Sequence, residues 1–355
     1  MSVFRGYDCV VAGAGVWGCA LARRLAESGR KVLLLDSRKQ LGGNSSAYTI
    51  GGVEVHAHGS HIFHTSNERV FEFATRFCEF NGYRHRVVSV HKGREYHLPF
   101  GRTLVREFFG VDEAPSKLPD DMKEEMFRAF TSGYTAKQWG VKANEVDAEV
   151  LKRLIWRDDD SVDYFRDAHQ GIPREGYDCW FRCMVSHPNI KVALGVKYEL
   201  GDELEGQSVY YSGRIDALFG CRFGRLPYRS LRFVKTISNS LLTQRTAVVN
   251  FADLTTALTR RHEYRHYHLG DGGKFAEATG GSVIVDEYPC AYDGDNEPYY
   301  PVKSKESEAL ADRYRELVSE KNRTSNGRLV VGGRLGGFKY LNMDSAIAEA
   351  LSVTV

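Results

Sequence analysis

The first 36 residues combine two apolar runs with a glycine-rich turn and an amphipathic segment. Asp8 to Ala12 is mostly apolar, which predicts a buried strand. Leu21 and Leu25 follow one helical turn apart, the spacing expected on the buried face of a helix. Lys31 to Leu35 is a second apolar run, and Asp36 ends it. The pattern predicts one β-α-β unit.

The middle of the chain is first helical and then strand-like in pattern. Residues 37–96 carry glycines between short strands, and residues 101–157 have a polar, helical pattern. Asp120 to Thr131 is the clearest helix, because Met122, Met126 and Phe130 are spaced for one buried face. Later stretches of alternating polarity predict strands of an antiparallel sheet, at Val209–Tyr211, Leu231–Lys235, Ala247–Phe251, Tyr264–His268 and Ser282–Tyr288.

The end of the chain returns to a strand, a glycine turn and a helix, at Arg328–Val331, Gly332–Gly333 and Asp344–Leu351. We therefore predict an α/β fold with a discontinuous, Rossmann-like nucleotide-binding domain. Its predicted parts are residues 1–80, about 195–230 and 325–355. Two units are inserted into it, a helical lobe at 100–157 and a mainly antiparallel β-sheet domain at 80–100 and 158–325.

The composition is that of an ordinary globular protein. The 355 residues are 42% hydrophobic and 26% charged, and a formal net charge of +2 gives no indication of a nucleic-acid partner. No run approaches the roughly 18 to 20 apolar residues of a membrane span. The N-terminus enters a strand with no room for a signal peptide, and the seven scattered cysteines fit a reducing compartment. We expect a cytoplasmic protein that binds no membrane.

Two clusters resemble metal sites, but we predict no metal. Cys179, Cys183 and His187 lie one helical turn apart, without the short CxxC pairing and second pair of a zinc site. A second cluster contains four histidines close together in the sequence, at His56, His58, His61 and His64.

The turn after the first strand has the pattern of a dinucleotide site. Gly13, Gly15 and Gly18 form a GxGxxG string between a strand and a helix, and Asp36 ends the next strand. These glycines allow a tight turn, close approach to a pyrophosphate, and close packing of helix on strand. The free N–H groups of the helix N-terminus favour the anion, and the acidic residue accepts hydrogen bonds from ribose.

The next segment favours FAD over NAD. Arg38 and the pair Gly42–Gly43, followed by Asn44, come just after the acidic strand end. This arrangement resembles the broad flavin family that includes amine oxidases and desaturases. The late turn at Gly332–Gly333, with Arg334, fits the same resemblance.

Eight further strings, in order, resemble the UDP-galactopyranose mutase family. With the N-terminal fingerprint they span about residues 5 to 351. They are GSHIFHT from Gly59, LPF from Leu98, GYTAKQWG from Gly133, QGIP from Gln170, YRSL from Tyr228, Asn250–Phe251 with Thr259–Arg260, EPYYPV from Glu297 and GRLGGFKY from Gly333.

The resemblance implies a flavin-dependent isomerase of nucleotide sugars. In this family N5 of reduced FAD attacks the anomeric carbon, and pyranose and furanose rings interconvert without net redox change. The implied partner is a nucleotide sugar linked to uridine diphosphate, and the implied reductant is external NAD(P)H or a reduced flavin. A homodimer and a role in cell-surface polysaccharide or glycoconjugate synthesis, through galactofuranose, are also implied.

The same resemblance assigns roles to individual residues. The implied catalytic residues are His61, Arg157, Arg260 and Tyr340. The implied FAD-binding residues are Gly13, Gly15, Gly18, Asp36, Arg38, Gly43, Asn44, His61, Gly333, Arg334, Asn342 and Met343. The implied substrate-binding residues are Phe130, Tyr134, Trp139, Arg157, Tyr164, Asn250, Arg260, Tyr300, Tyr340 and Asn342. Of these, Trp139 belongs to the family's mobile lid, and for Phe130 a place in the helix core is the open alternative.

This chain departs from the family pattern near the substrate. Asn342 stands where the family has Asp, and Ala257–Leu258 replaces Pro and an aromatic residue. Beside Arg157 lie Trp156 and the run Asp158–Asp160. The run is either a solvated loop or a change to the sugar site. Since the departures spare the flavin motifs, the sugar is either galactose or an altered relative.

Two rival functions stay open. One is an FAD-dependent oxidoreductase of the amine oxidase or desaturase type, which shares the N-terminal fingerprint. The other is a non-catalytic relative that binds a nucleotide sugar.

Overall fold

The computed structural model describes residues 3–140, 156–277 and 280–354. The strands, in chain order, are β1 (Cys9–Ala12), β2 (Val32–Asp36), β3 (Ala47–Ile50), β4 (Val53–His56), β5 (Phe63–Thr65), β6 (Val87–His91), β7 (Arg94–Leu98), β8 (His169–Gly171), β9 (Ile190–Leu194), β10 (Ser208–Tyr211), β11 (Tyr228–Ser238), β12 (Val248–Phe251), β13 (Arg260–Glu263), β14 (Ser282–Ala291), β15 (Tyr300–Pro301) and β16 (Leu329–Val331). The helices are α1 (Val16–Glu27), α2 (Glu68–Thr75), α3 (Arg102–Phe109), α4 (Asp120–Phe127), α5 (Gly133–Trp139), α6 (Tyr177–Val185), α7 (Ile215–Leu218), α8 (Lys305–Thr324), α9 (Gly333–Gly336) and α10 (Met343–Ser352).

A five-stranded parallel sheet in the order β16-β10-β1-β2-β9 carries the predicted nucleotide-binding unit. Its strands β1 and β2 are buried along nearly their whole length, as expected of a sheet covered on both faces. Helix α1 packs against α10 and α6 on one of those faces. Because β9, β10 and β16 come from distant parts of the chain, the sheet is discontinuous in sequence. Strand β10 contains Val209–Tyr211, so the prediction that this stretch belongs to an antiparallel sheet is wrong: it pairs in parallel with β1 and β16. The α/β fold class predicted from the sequence agrees with this arrangement.

A seven-stranded sheet in the order β15-β11-β14-β13-β12-β6-β7 forms the second layer. It is antiparallel except where β12 runs parallel to β6. Its register pairs Arg260 with Asn250 on one side and with Glu287 on the other. Three residues distant in sequence are thereby aligned across neighbouring strands.

The strand predicted at Tyr264–His268 is wrong. Strand β13 ends at Glu263, and Tyr264–Tyr267 forms a 3₁₀ helix. A period of three places both tyrosine rings about 5 Å from the ring of His56, and both side chains are fully buried. Burying two large rings on one side overrides the alternation that suggested a strand.

Helices α3, α4 and α5 make up the described part of the helical lobe. The predicted helix from Asp120 to Thr131 ends as α4 at Phe127 and continues as a π-helical segment, Arg128–Ser132, into α5. The predicted lobe at residues 100–157 also includes residues 141–155, which lie outside the described residues. None of the helices in the described ranges is long and apolar enough to cross a membrane.

Candidate active site

A cavity of about 830 Å³ runs between the glycine turn of the parallel sheet and the second sheet. One end is formed by the turn after β1, with Asp36, Arg38 and the glycine pair Gly42–Gly43. The remaining walls hold polar and aromatic side chains from both sheets. They include His61, His64, His85, Arg157, Tyr164, Asn250, Arg260, Glu287, Tyr300, Arg334, Tyr340, Asn342 and Met343.

The glycine turn has the backbone geometry that a bound pyrophosphate requires. Gly13 has φ of 110°, and a Cβ at Gly18 would lie 1.8 Å from the carbonyl oxygen of Gly13. A Cβ at Gly43 would lie 3.0 Å from Cα of Gly15, so these two glycines pack backbone to backbone. Helix α1 starts there with no side-chain cap and no acidic residue in its first turn. Its N–H groups are therefore available to an anion.

Asp36 and Arg38 line this end of the cavity. Asp36 accepts N–H bonds from Ala14 at 2.7 Å and from Arg38 at 2.8 Å, one on each carboxylate oxygen. Each oxygen keeps a second lone pair for a ribose hydroxyl. Nη2 of Arg38 donates to Asn44 and Glu297, but Nη1 is buried and has no acceptor among the described residues. An unsatisfied guanidinium N–H beside a glycine turn fits a phosphate oxygen.

Arg334 and Asn342 form the wall next to the C-terminal helix. Arg334 donates to the carbonyl oxygens of Leu341 and Tyr299, at 2.6 and 3.2 Å. Asn342 precedes α10 and makes no side-chain capping bond, while Met343 also lines the cavity. Gly333 packs on Trp17 instead of lining the cavity; a Cβ there would lie 3.4 Å from Cβ of Trp17.

His61 is held as a neutral imidazole. Its Nδ1 lies 2.7 Å from the carbonyl oxygen of Gly59, which can only accept, so Nδ1 carries the proton and Nε2 is left as an acceptor. Its backbone N–H donates to Nδ1 of His56 at 3.0 Å. Burial, with His56 nearby, holds the pKa of His61 well below its usual value.

Two arginines line the cavity from different elements. Arg157 donates to the carbonyl oxygens of Asp163 and Tyr164, at 2.8 and 2.6 Å. Arg260, at the start of β13, lies 5.5 Å over the ring of Tyr134, and its Nη1 lies 3.7 Å from Oε1 of Glu287. The two guanidinium groups give the cavity wall fork-shaped donors of the kind that suits a diphosphate.

Glu287 is a cavity residue that the sequence analysis missed. Burial favours its protonated form, but Arg260 and His262 hold the pKa of Glu287 below its usual value, so it is a buried carboxylate. His262 connects it to Ser60, with contacts of 3.2 and 2.6 Å. The alternation of β14 could have indicated this residue, because Glu287 lies on the same face of the strand as Val283 and Val285, and both valines are buried.

The predicted aromatic contacts fall into two groups. Phe130 lies in an aromatic core with Tyr96 and Phe108 and does not line the cavity. The others cluster near the arginines: the Trp139 ring lies 6.0 Å from Tyr300, which stacks 5.9 Å from Tyr340, and Tyr134 faces Arg260. Of the predicted aromatic contacts, Tyr164, Tyr300 and Tyr340 line the cavity, as does Asn250, whereas Tyr134 and Trp139 do not line it.

Each acid of the run beside Arg157 has its own arginine partner. Asp158 pairs with Arg102 at 2.8 Å, and Asp160 pairs with Arg106 at 2.6 Å. Asp159 pairs with Arg166 at 2.5 Å. None of the three acids lines the cavity, and their side chains are 41% to 60% exposed. The geometry favours the solvated-loop alternative.

The two clusters considered as metal sites have other roles in the described structure. Sγ of Cys179 and Sγ of Cys183 lie 3.9 Å apart on α6. His61 and His64 use their Nδ1 atoms for Gly59 and Asp167. Within the described ranges, no group of three or more His, Cys, Asp or Glu side chains is arranged to hold a metal ion.

Comparisons with known proteins agree with these features. The UDP-galactopyranose mutase family profile matches residues 129–340, and an NAD(P)-binding Rossmann-like domain profile matches residues 11–77. A probable UDP-galactopyranose mutase of Klebsiella pneumoniae is 34% identical over 97% of this chain and 93% of its own length. A dTDP-fucopyranose mutase of Escherichia coli is 32% identical over 96% of each chain.

A solved structure gives the same result for the fold. A crystal structure of reduced UDP-galactopyranose mutase superimposes with a TM-score of 0.67 and 14% identity, covering 97% of this chain and 92% of that one. These findings confirm the resemblance seen in the sequence motifs. The chain therefore belongs to the UDP-galactopyranose mutase family of isomerases.

Proposed function

We propose that the protein interconverts the pyranose and furanose forms of a nucleotide sugar with reduced FAD bound in the cavity. The observation that carries this proposal is the position of Arg157 and Arg260, which line the same cavity as the glycine turn. The glycine turn offers N–H donors to the pyrophosphate of a cofactor, and the two arginines offer cationic donors to the diphosphate of a substrate, within one cavity.

The cofactor end of the cavity fits FAD. The uncapped start of α1, the Gly15–Gly43 contact and the unsatisfied Nη1 of Arg38 suit a dinucleotide pyrophosphate. The neutral His61, with Nε2 as an acceptor, and Arg334 stand further along the wall. When bound, reduced FAD supplies a nucleophilic N5 for covalent catalysis at the anomeric carbon.

The protein's own side chains bind and orient the sugar nucleotide. Arg157 and Arg260 hold the diphosphate before and after it leaves the anomeric carbon, because it stays anionic throughout. Glu287 keeps Arg260 charged and in place, and Tyr300 and Tyr340 line the same cavity. Trp139, on α5 beside Tyr300, is placed to help exclude water when substrate fills the cavity.

The sugar is either galactose or an altered relative, and Asn342 is the residue we expect to decide between them. Asn342 lines the cavity, and its side chain makes no capping bond to α10. It is an amide where the family has a carboxylate. The amide removes a negative charge and offers two N–H donors. The two relatives described above act, by name, on a uridine-linked galactose and a thymidine-linked fucose, so both classes belong in the test.

The test is a chromatographic screen of nucleotide furanoses with dithionite-reduced holoenzyme. We expect ring interconversion with a catalytic amount of reductant, and none with oxidised enzyme. Arg260→Ala should abolish turnover while FAD stays bound, because Arg260 belongs to the proposed diphosphate wall, the side of the cavity formed by Arg157 and Arg260. Stoichiometric consumption of an electron acceptor would instead show an oxidoreductase, and tight nucleotide-sugar binding without turnover would show a non-catalytic relative.

We also propose that the enzyme works in the cytoplasm, with NAD(P)H or a reduced flavin as the reductant. The support is that all seven cysteines are free, as in a reducing compartment. The test is cell fractionation, and we expect the active protein, with its flavin reduced, in the cytoplasmic fraction.

A further inference from the structure

Lys137 has an unusual environment for a lysine that does not line the cavity. Its ammonium nitrogen lies 2.8 Å from three carbonyl oxygens, of Phe251, Asp253 and Leu258, and 3.1 Å from that of Thr256. An ammonium group has three N–H donors, so four carbonyls share them. The carbonyls converge on the charge as they would on a small bound cation.

Three of these carbonyls belong to one irregular segment, residues 252–258, that leads to the diphosphate wall, and the fourth, of Phe251, ends β12. The segment leaves β12 after Phe251 and enters β13 at Arg260. Thr259, just before Arg260, donates its N–H and its hydroxyl to the carbonyl oxygen of Glu287, each at 3.0 Å. The end of this segment is thereby joined to β14 directly beside Arg260, whose side chain lines the cavity.

Helix α5 approaches the same segment at a second point, one turn earlier. A Cβ at Gly133 would lie 2.2 Å from the carbonyl oxygen of Ala252, so only glycine permits the contact. Arg229 fixes the other end of α5 by donating to the carbonyl oxygens of Gln138 and Lys137, at 3.1 and 3.3 Å. These contacts hold α5 near both of its ends.

Helix α5 also carries two aromatic residues of the substrate region. Tyr134 packs under the guanidinium of Arg260, and Trp139 lies next to Tyr300. The relative positions of these rings and of Arg260 depend on how α5 is joined to the 252–258 segment. Lys137 is the only side chain of α5 for which hydrogen bonds to that segment are seen in the described structure.

We propose that Lys137 is a positioning residue that ties α5 to the 252–258 segment and so places Arg260 for diphosphate binding. This inference rests on the proposed role of Arg260. It assigns a function to Lys137, the lysine of the GYTAKQWG string. This lysine does not line the cavity in which we propose that FAD and the substrate bind. The ammonium is required for its geometry and charge, and a neutral chain of equal length cannot replace it.

The experiment measures binding of UDP to FAD-loaded protein by calorimetry, in wild type, Lys137→Met, Lys137→Ala and the control Lys123→Met. Lys123 is a half-exposed lysine on α4 that pairs only with Asp120 among its described neighbours. We expect Lys137→Met to weaken UDP binding about tenfold, because a displaced guanidinium loses charge-assisted bonds. FAD content should not change, and Lys123→Met should bind UDP like wild type.

Rescue separates positioning from a general role in folding. Lys137→Ala leaves space for an alkylammonium ion, and propylammonium replaces the missing atoms. We expect it to restore UDP affinity in Lys137→Ala in a saturable manner and to have no effect on Lys123→Met. This variant decides the question if Lys137→Met does not fold.

Three results would overturn the proposal: wild-type affinity in Lys137→Met, a loss in Lys137→Ala that propylammonium does not reverse, or a wild type that binds neither UDP nor dTDP in the same assay. UDP binding by wild type without sugar turnover would count against the proposed function alone, since the positioning role is read from affinity.

Discussion

The Arg260–Glu287 pair gives a prediction in which stability and catalysis separate. Arg260→Met keeps most of the side-chain volume and removes the charge that faces Glu287. The Glu287 side chain is 1% exposed, whereas that of Arg260 is 28% exposed and the closest N···O distance is 3.7 Å. Breaking a buried ion pair lowers the free energy of unfolding by about 3 to 5 kcal/mol. Because Arg260 is partly exposed and the pair is widely spaced, we expect a loss near the lower value, ~3 kcal/mol.

The pH dependence identifies the cause of that loss. In wild type the pKa of Glu287 is lowered, so its ionised form stabilises the fold above the usual carboxyl pKa, and this is lost as pH falls through the lowered value. Arg260 is the largest of the causes that lower this pKa, so without it we expect burial to dominate and to raise the pKa of Glu287 above its usual value. The folded variant then binds the proton more tightly and loses stability as pH rises. The destabilisation should be larger at pH 8 than at pH 5.

The assay is chemical denaturation followed by circular dichroism, at one saturating FAD concentration. The double variant Arg260→Met with Glu287→Gln should recover most of the lost stability, because no buried charge remains. It should not recover turnover, because the proposed diphosphate wall still lacks the Arg260 guanidinium. Equal destabilisation at the two pH values, or no recovery in the double variant, would refute the reasoning.

Three further predictions concern single side chains. Gly18→Ala should abolish FAD binding, because the new Cβ would lie 1.8 Å from the carbonyl oxygen of Gly13. FAD content is measured by absorbance of the purified protein. The control is Gly82→Ala, which should bind FAD normally because no atom lies within 4 Å of its new Cβ. Asp158→Asn should change kcat/KM less than about twofold, since its exposed ion pair lies outside the cavity; a larger effect would place the acid run in the sugar site. Asn342→Asp should raise the ratio of kcat/KM for UDP-galactofuranose to kcat/KM for dTDP-fucofuranose about fivefold, because a carboxylate accepts a hydrogen bond from a sugar hydroxyl more strongly than an amide does. An unchanged ratio would exclude Asn342 as the residue that selects the sugar.

Local pattern was enough to predict the parts of the fold that depend on local sequence. The β-α-β start follows from two apolar runs and a GxGxxG turn, and Leu21 and Leu25 are both fully buried as their spacing indicates. The family and its enzyme class were predicted from strings spread along the chain, and both are confirmed by the comparisons. The individual site assignments stay predictions that the experiments above test.

Features that depend on pairing across the chain could not be predicted. Arg260 and Glu287 are 27 residues apart and meet only through the register of β13 with β14. The arginine partners of Asp158 and Asp160 lie on α3, more than 50 residues earlier. Tyr264 followed the alternation of a strand, but packing of its ring against His56 determines a 3₁₀ helix. In each case a tertiary contact determines the arrangement, and the local sequence pattern does not contain it.

The measurement that tests the central claim most directly is product analysis by NMR with a limiting amount of dithionite. FAD-loaded enzyme is given a nucleotide furanose in large excess over electrons, and the ring form and the electrons consumed are both counted. The account predicts many pyranose products for each electron pair supplied. Product that never exceeds the electrons transferred, or no ring interconversion with any uridine- or thymidine-linked furanose, would contradict it.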